Sequence, residues 1–175
     1  MSDIDVGPLG EDDWEVYRAI RLAALSESPE AFVGTHDEEQ EYPESLWRER
    51  MRRSTRLLAQ RDGRPVGVLS LGRVGPPERQ VAEVFGLWVH PAARGTGVAS
   101  RLLEAAADQA RRDEETHLAY WVGTENGRAV AFASGIGFRP TDFRRPMRVV
   151  SEDDGGEEIA MVLPLGADRG VTPPL

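Results

Sequence analysis

The sequence predicts an α/β domain on a mixed, mostly antiparallel sheet of about six or seven strands, flanked by about four helices. Three observations carry this expectation. Val81 to Arg112 reads as a strand, a Gly-rich loop and a long amphipathic helix. Asp62-Gly63 stands between two apolar runs as a hairpin turn. Leu118 to Val122 then follows the long helix as a strand able to pair parallel to Val81–Val89 through a helical crossover. With 175 residues the chain can bury a single sizeable core.

Taken in order, Ile4 to Leu9 is a short first strand, which Gly7 and Pro8 place at an edge. Glu11, Asp12 and Asp13 suit the first turn of a helix. Val16, Ile20 and Ala23 mark one face of it, flanked by Trp14, Tyr17 and Ala24, and the helix is expected to end near Leu25, ahead of Ser28-Pro29. His36 to Tyr42 is acidic and loop-like. Pro43 suits the first position of a second helix running through Arg52 and anchored by Leu46, Trp47 and Met51. Thr55 to Gln60 and Pro65 to Val74 are the strands around Asp62-Gly63. Gly75-Pro76-Pro77 breaks the chain before Glu78 to Val89, which Pro91 stops at or just before His90. Val98, Leu102, Ala105, Ala106 and Gln109 fall at helical spacing, and Leu103, Ala107 and Ala110 widen the stripe. Asn126 to Ser134 is a short helix. Phe138 to Val150 and Glu158 to Leu163 form a last hairpin around the acidic, Gly-rich Glu152 to Glu158. The domain is expected to span residues 1–166, with 167–175 a disordered tail.

Composition narrows the function. No apolar run approaches the roughly 18 residues of a membrane span, and the acidic start MSDIDVGPLGEDD lacks a signal peptide's basic and apolar regions. The absence of cysteine excludes disulfides, cysteine nucleophiles and thiolate metal sites, which fits a cytoplasmic protein. A net charge of −9 argues against nucleic acid as a partner. It is compatible with steering a cationic amine, and equally with plain solubility. The three histidines lie far apart without ligand spacing, so no metal is expected. Trp47, Trp88 and Trp121 would favour a homodimer if their rings were exposed; all three would equally suit a core.

The chemistry concentrates where the side chains shrink. Gly95 and Gly97 let the backbone approach a ligand, and the unpaired N–H groups of the following helix's first turn point into the same space. With the helix dipole this makes an anion site suited to phosphate or pyrophosphate, and Arg94 adds a positive charge at its rim. A tight turn that needs glycine only for its shape is the alternative. A Walker-type loop fails because the segment has no lysine. A dinucleotide fingerprint finds Ser100 at the third glycine, and its acidic partner, due about twenty residues on, appears only as Glu125, about thirty residues after Gly95.

Arg94-x-x-Gly97-x-Ala99, after a strand ending Leu87-Trp88-Val89-His90-Pro91, resembles the acyl-CoA site of the GNAT N-acetyltransferase superfamily. Asn126-Gly-Arg-Ala129-Val-Ala-Phe132 and then Gly135-Ile-Gly137-Phe138 resemble the family's Asn-x-x-Ala helix and Gly-Phe ending, so the likeness runs from about residue 57 to 163. Arg21 to Phe32, RLAAL-x-x-x-PEAF, looks like the opening helix and loop of many small-molecule members. The resemblance implies a single GNAT-like domain whose strands splay at the acyl-CoA site. It also implies acetyl-CoA as co-substrate and direct transfer of an acetyl group to a primary amine.

By the same resemblance, Leu87, Trp88 and Val89 pair with the pantetheine amides, and the amides of Gly95, Thr96, Gly97, Val98, Ala99 and Ser100 hold the pyrophosphate. Asn126 bonds the pantetheine arm or caps its helix, or both. The Val89 N–H faces the oxyanion. Glu83, an acid in an apolar strand, is the candidate base through a bridging water; a solvated strand residue is the alternative. His117 is a weaker candidate, and His90 a loop residue beside the site. Ala133 stands where many members carry the tyrosine that protonates the thiolate, and Trp121 where ribosomal-protein acetylases carry a glutamate. A non-catalytic acyl-CoA sensor, and a protein N-terminal or lysine acetyltransferase, are the rival readings.

Overall fold

A computed structural model of the chain describes residues 3–147 and 156–166. Among them are seven strands in one sheet, ordered β1-β2-β3-β4-β5-β7-β6, and five α-helices. They fall into two compact units. One comprises residues up to Gly72 with Gly86–Ala106, the other Arg73–Phe85 with the residues from Ala107 onward.

The first unit opens with β1 (Ile4–Leu9) at the sheet edge, antiparallel to β2 (Thr55–Arg61). Edge placement is what lets Pro8 sit in a strand without a ladder N–H. β2 turns back into β3 (Arg64–Arg73) through Asp62 at φ +53° and Gly63 at φ +75°, the left-handed pair a two-residue hairpin requires. Helix α1 (Trp14–Glu27) follows a short turn at Glu11–Asp13 and ends two residues later than Leu25. Its Ile20 and Ala24 pack with Leu58, Val68 and Trp88, joined by Leu9 and Phe32.

The acidic segment expected to be a loop instead forms helix α2 (His36–Gln40), because the Thr35 hydroxyl accepts the Glu38 N–H and caps it. Asp37, Glu38 and Glu39 then suit the positive end of its dipole. Helix α3 (Glu44–Arg53) starts one residue after Pro43, which serves as its N-cap. Trp47 is fully buried against the tilted rings of Tyr17 and Tyr42, each 6.0 Å away.

The second unit contains the first residues of β4 (Val81–Val89) and the end of α4 (Val98–Arg112). After these come β5 (His117–Gly123), α5 (Gly127–Ile136), β6 (Arg139–Pro146) and β7 (Glu157–Pro164). β5 pairs parallel with β4 only from Val81–His117 to Val84–Tyr120, and antiparallel with β7 along its whole length. β6 closes the edge as the hairpin partner of β7, with an irregular register between Pro140 and Arg144. Val81, Ala119 and Val162 are buried on one face with Val74 against them, while Leu118, Met161 and Phe138 are fully buried. The expected strand end at 148–150, most of the Glu152–Glu158 loop and the tail at 167–175 lie outside the described residues.

No helix among the described residues is long and apolar enough to cross a membrane. Trp47 and Trp88 are core residues, 0% and 5% exposed, and Trp121 is half-buried with Arg145 stacked over its ring at 4.1 Å.

A buried ion cluster holds the helical part of the first unit together. Glu39 accepts from Arg21 at 2.9 and 3.1 Å and from Arg50 at 2.6 Å. Burial raises the Glu39 carboxyl, but the hydrogen bonds and charges of Arg21 and Arg50 outweigh it and leave the group below the usual range. Its contribution is therefore fully present above the ordinary carboxylate pKa and is lost only as pH falls through the lowered value. Glu39→Ala strands two guanidiniums and is expected to cost about 3 kcal/mol at neutral pH in urea denaturation. A loss that fails to shrink in acid would contradict this account.

Candidate functional site

In the first unit the site begins where β4 ends. Gly86 takes φ +62°, a conformation that reorients the strand's last three residues, Leu87, Trp88 and Val89. The His90 N–H donates to the Val66 carbonyl at 2.8 Å, toward β3. Antiparallel alternation therefore turns the N–H and C=O of Val89 to the other edge of the strand. There the Val89 carbonyl accepts Arg94 Nε at 3.0 Å. The His90 ring serves the local backbone, since its Nδ1 accepts the Ala92 N–H and caps the turn at Pro91–Ala93.

The loop that follows is shaped by two left-handed glycines, Gly95 at φ +76° and Gly97 at φ +93°. A Cβ at either would meet nothing within 4 Å, so the backbone borders open space. Thr96 turns back on its own loop, its hydroxyl donating to the Ala93 carbonyl and accepting from Arg61 at 3.0 Å. Val98 is 1% exposed, so it can present only its backbone; Ala99 and Ser100 are half-buried. Among the described residues, the six N–H groups from Gly95 to Ser100 meet no protein acceptor in hydrogen-bonding geometry. Arg101 is the first whose N–H is spent, on the Gly97 carbonyl at 3.1 Å. Six unspent donors at the positive end of a 15-residue helix fit an anion the size of a pyrophosphate.

Arg94 stands at the rim with its guanidinium held in place. Its NH2 donates to Glu27 Oε2 at 2.8 Å while its Nε holds Val89. The same oxygen accepts Trp88 Nε1 at 2.9 Å and the Ser28 hydroxyl. The Ser28 bond foremost, then those of Trp88 and Arg94, holds the Glu27 carboxyl below its ordinary range. Sequence reasoning missed Glu27. Its signal was an acid in the last turn of a helix, where the dipole disfavours it and a partner is needed.

In the second unit Glu83 is neither free nor exposed. Its side chain is 18% accessible and lies 3.4 Å from Arg145 NH1. Arg145 donates more closely to Glu158, at 2.7 Å, and stacks over Trp121 at 4.1 Å. The register places Glu83 opposite Ala119, two residues before Trp121 on the same face of β5. Tyr120 points to the opposite face, edge-on to Phe138 at 6.2 Å, and burial raises its phenol. His117 opens β5 opposite Val81. It is buried, with Nδ1 2.8 Å from the Thr116 hydroxyl and Nε2 without a partner among the described residues.

Ala133 is fully buried on α5. Asn126 caps that helix through Oδ1, which accepts the Ala129 N–H at 3.1 Å, while its NH2 group makes no hydrogen bond among the described residues. No group of three or more His, Asp or Glu among those residues is arranged to hold a metal.

The chain as a whole has counterparts among known proteins. The sequence profile of the acetyltransferase (GNAT) family matches residues 19–138, and the chain belongs to that family. An uncharacterised N-acetyltransferase of Methanocaldococcus jannaschii is 30% identical over 82 residues, which cover 44% of this chain but only 35% of the relative. The chain thus matches about a third of that protein's length. A Salmonella typhimurium protein described as a candidate acetyltransferase, solved with its cofactor acetyl-CoA, shares the fold. Its TM-score is 0.70 at 21% identity, over 98% of both chains. An acetyltransferase of the GNAT family from Streptococcus pneumoniae superposes with a TM-score of 0.76 at 17% identity, over 94% of this chain and 100% of that one.

The Asn126 cap is separable from any ligand role. Asn126→Ala is expected to lower stability in urea by about 1 kcal/mol, and Asn126→Asp to restore it, since a carboxylate caps equally well. Equal losses in both variants would show that the cap is not what Asn126 contributes to stability.

Proposed function

We propose that the chain is an acetyl-CoA-dependent N-acetyltransferase acting on a small primary amine. The observation that carries this reading is the run of unspent amides from Gly95 to Ser100. In the proposal these amides take the donor's pyrophosphate, and the edge of Leu87, Trp88 and Val89 takes the pantetheine amides as an added strand. Asn126 adds a hydrogen bond from its uncommitted NH2 group.

Acetyl-CoA, when bound, supplies a thioester carbonyl that the amine attacks; a C–N bond forms and the C–S bond breaks through a tetrahedral oxyanion. The Val89 N–H, directed away from β3, donates to that oxyanion. Glu83 accepts the proton the amine must lose, through a bridging water, with Arg145 as its counter-ion. The departing sulfur takes its proton from water, since Ala133 offers none. A thiolate, with a pKa of about 8.5 in cysteine, is stable enough near neutrality for this to suffice.

Ala133 and the Arg145 partner on Glu83 are the two observations that favour the rival, an acyl-CoA-binding module without turnover. An acceptor that is a protein N-terminus or lysine is the third reading, and the panel of amines that tests the reaction includes peptides for that reason. Glu83→Gln is expected to lower kcat about 10²-fold with the calorimetric Kd for acetyl-CoA unchanged. Full turnover in that variant would reject Glu83 as the base; tight donor binding with no transfer to any amine would favour the sensing module. Gly97→Asp, which strains a left-handed position and puts a carboxylate into the anion cradle, is expected to weaken acetyl-CoA at least about 100-fold. Unaltered binding there would place the donor elsewhere.

A further inference from the structure

Glu27 is costly where it stands. It closes α1, and a carboxylate in the last turn faces the negative end of the helix dipole. Nonetheless three donors from three places converge on one of its oxygens: the Ser28 hydroxyl, the Trp88 indole N–H at 2.9 Å and the Arg94 guanidinium at 2.8 Å. Its other oxygen has no hydrogen bond among the described residues. The convergence ties the end of α1 to the end of β4 and to the loop before α4, all within the first unit. Arg94, so held, reaches the Val89 carbonyl with Nε at 3.0 Å.

We propose that Glu27 is a positioning residue for acetyl transfer: it clamps Arg94 onto the Val89 carbonyl and the Trp88 ring onto α1, fixing the peptide that carries the Val89 N–H. This rests on the reading of that N–H as the oxyanion donor. The Val89 carbonyl faces the same edge as the N–H. Left uncapped it would be a lone acceptor beside the developing negative charge, and a bonded guanidinium removes that penalty. Arg94 alone could swing out into solvent, because its stem is long and half-exposed. The Glu27 carboxylate, charge-assisted and fixed by two further donors, selects the rotamer that reaches Val89. Ser28-Pro29 begins the connection to α2, so the clamp also anchors the start of that connection.

The test has two arms. In the first, the Arg94 Nε–H is observed by NMR in the free protein. It should exchange slowly in the wild type and at least about ten times faster in Glu27→Gln, which keeps an acceptor for Trp88 but loses the charged bond to Arg94. In the second, kcat is measured with whichever amine of the panel is turned over best. Glu27→Gln and Arg94→Met should each lower kcat about ten-fold with the KM for acetyl-CoA changed far less, and the double variant should be no worse than Arg94→Met. A loss of fold alone would not produce that split or that non-additivity. Should Glu27→Gln fail to fold, Arg94→Met breaks the same link from the loop side and must give the same kcat loss. Unchanged Nε–H exchange, or additive losses in kcat, overturns the proposal. If the wild type acetylates no amine, the transferase reading falls, and the exchange of the Arg94 Nε–H still decides whether the clamp exists.

Discussion

The structure depends on what happens to six backbone N–H groups. A helix must leave its first donors without internal partners, and most helices meet that cost with a capping side chain or with water. Here the two residues before Val98 are Thr96 and Gly97. Gly97 holds the N-cap position and has no side chain to offer, while the Thr96 hydroxyl is turned back to the Ala93 carbonyl and to Arg61. The donors therefore stay unspent, at the end of a helix whose other face is locked into the core by Val98, Leu102 and Leu103. Gly67 on β3 shows how tightly that helix is held, since a Cβ there would come within 2.8 Å of Val98. Rigid backing and uncommitted amides together make a site preorganised for an anion.

Several cationic side chains are arranged the other way, with their charges spent inside the protein. Arg21 and Arg50 neutralise Glu39, Arg94 serves Glu27 and Val89, and Arg145 serves Glu158 and Glu83. In the proposed reading, anion recognition therefore falls to oriented peptide dipoles more than to these guanidinium groups. A surface with a net charge of −9 can still accept a phosphate on that basis, because dipoles act at contact range whereas the net charge is screened within about 10 Å.

What could be read in advance follows from what is local. The strand–loop–helix of Val81 to Arg112, the Asp62-Gly63 hairpin and the edge strand with Pro8 each depend on neighbours in sequence, and each stands as expected. Helix α2 was also local: Thr35 with Glu38 is a capping pair, hidden by the acidity of the segment that follows. The side-chain partners were out of reach because they join distant positions. Glu27 and Arg94 are 67 residues apart, Glu83 and Arg145 62. No periodicity links such pairs, so the acid that holds Arg94 could not be seen. Asn126 was legible in its capping half alone, since a cap is answered three residues away and a ligand contact is not.

In the proposed function the amides from Gly95 to Ser100 receive the donor's pyrophosphate. The most direct test is a titration of the ¹⁵N-labelled protein with acetyl-CoA, following the backbone amide resonances of those six residues. They are expected to shift downfield together and saturate, with Val89 moving alongside and His90, whose N–H is committed to Val66, moving far less. Amides at Gly95 to Ser100 that stay in place at saturating acetyl-CoA would contradict that reading and leave the Gly-rich turn as architecture.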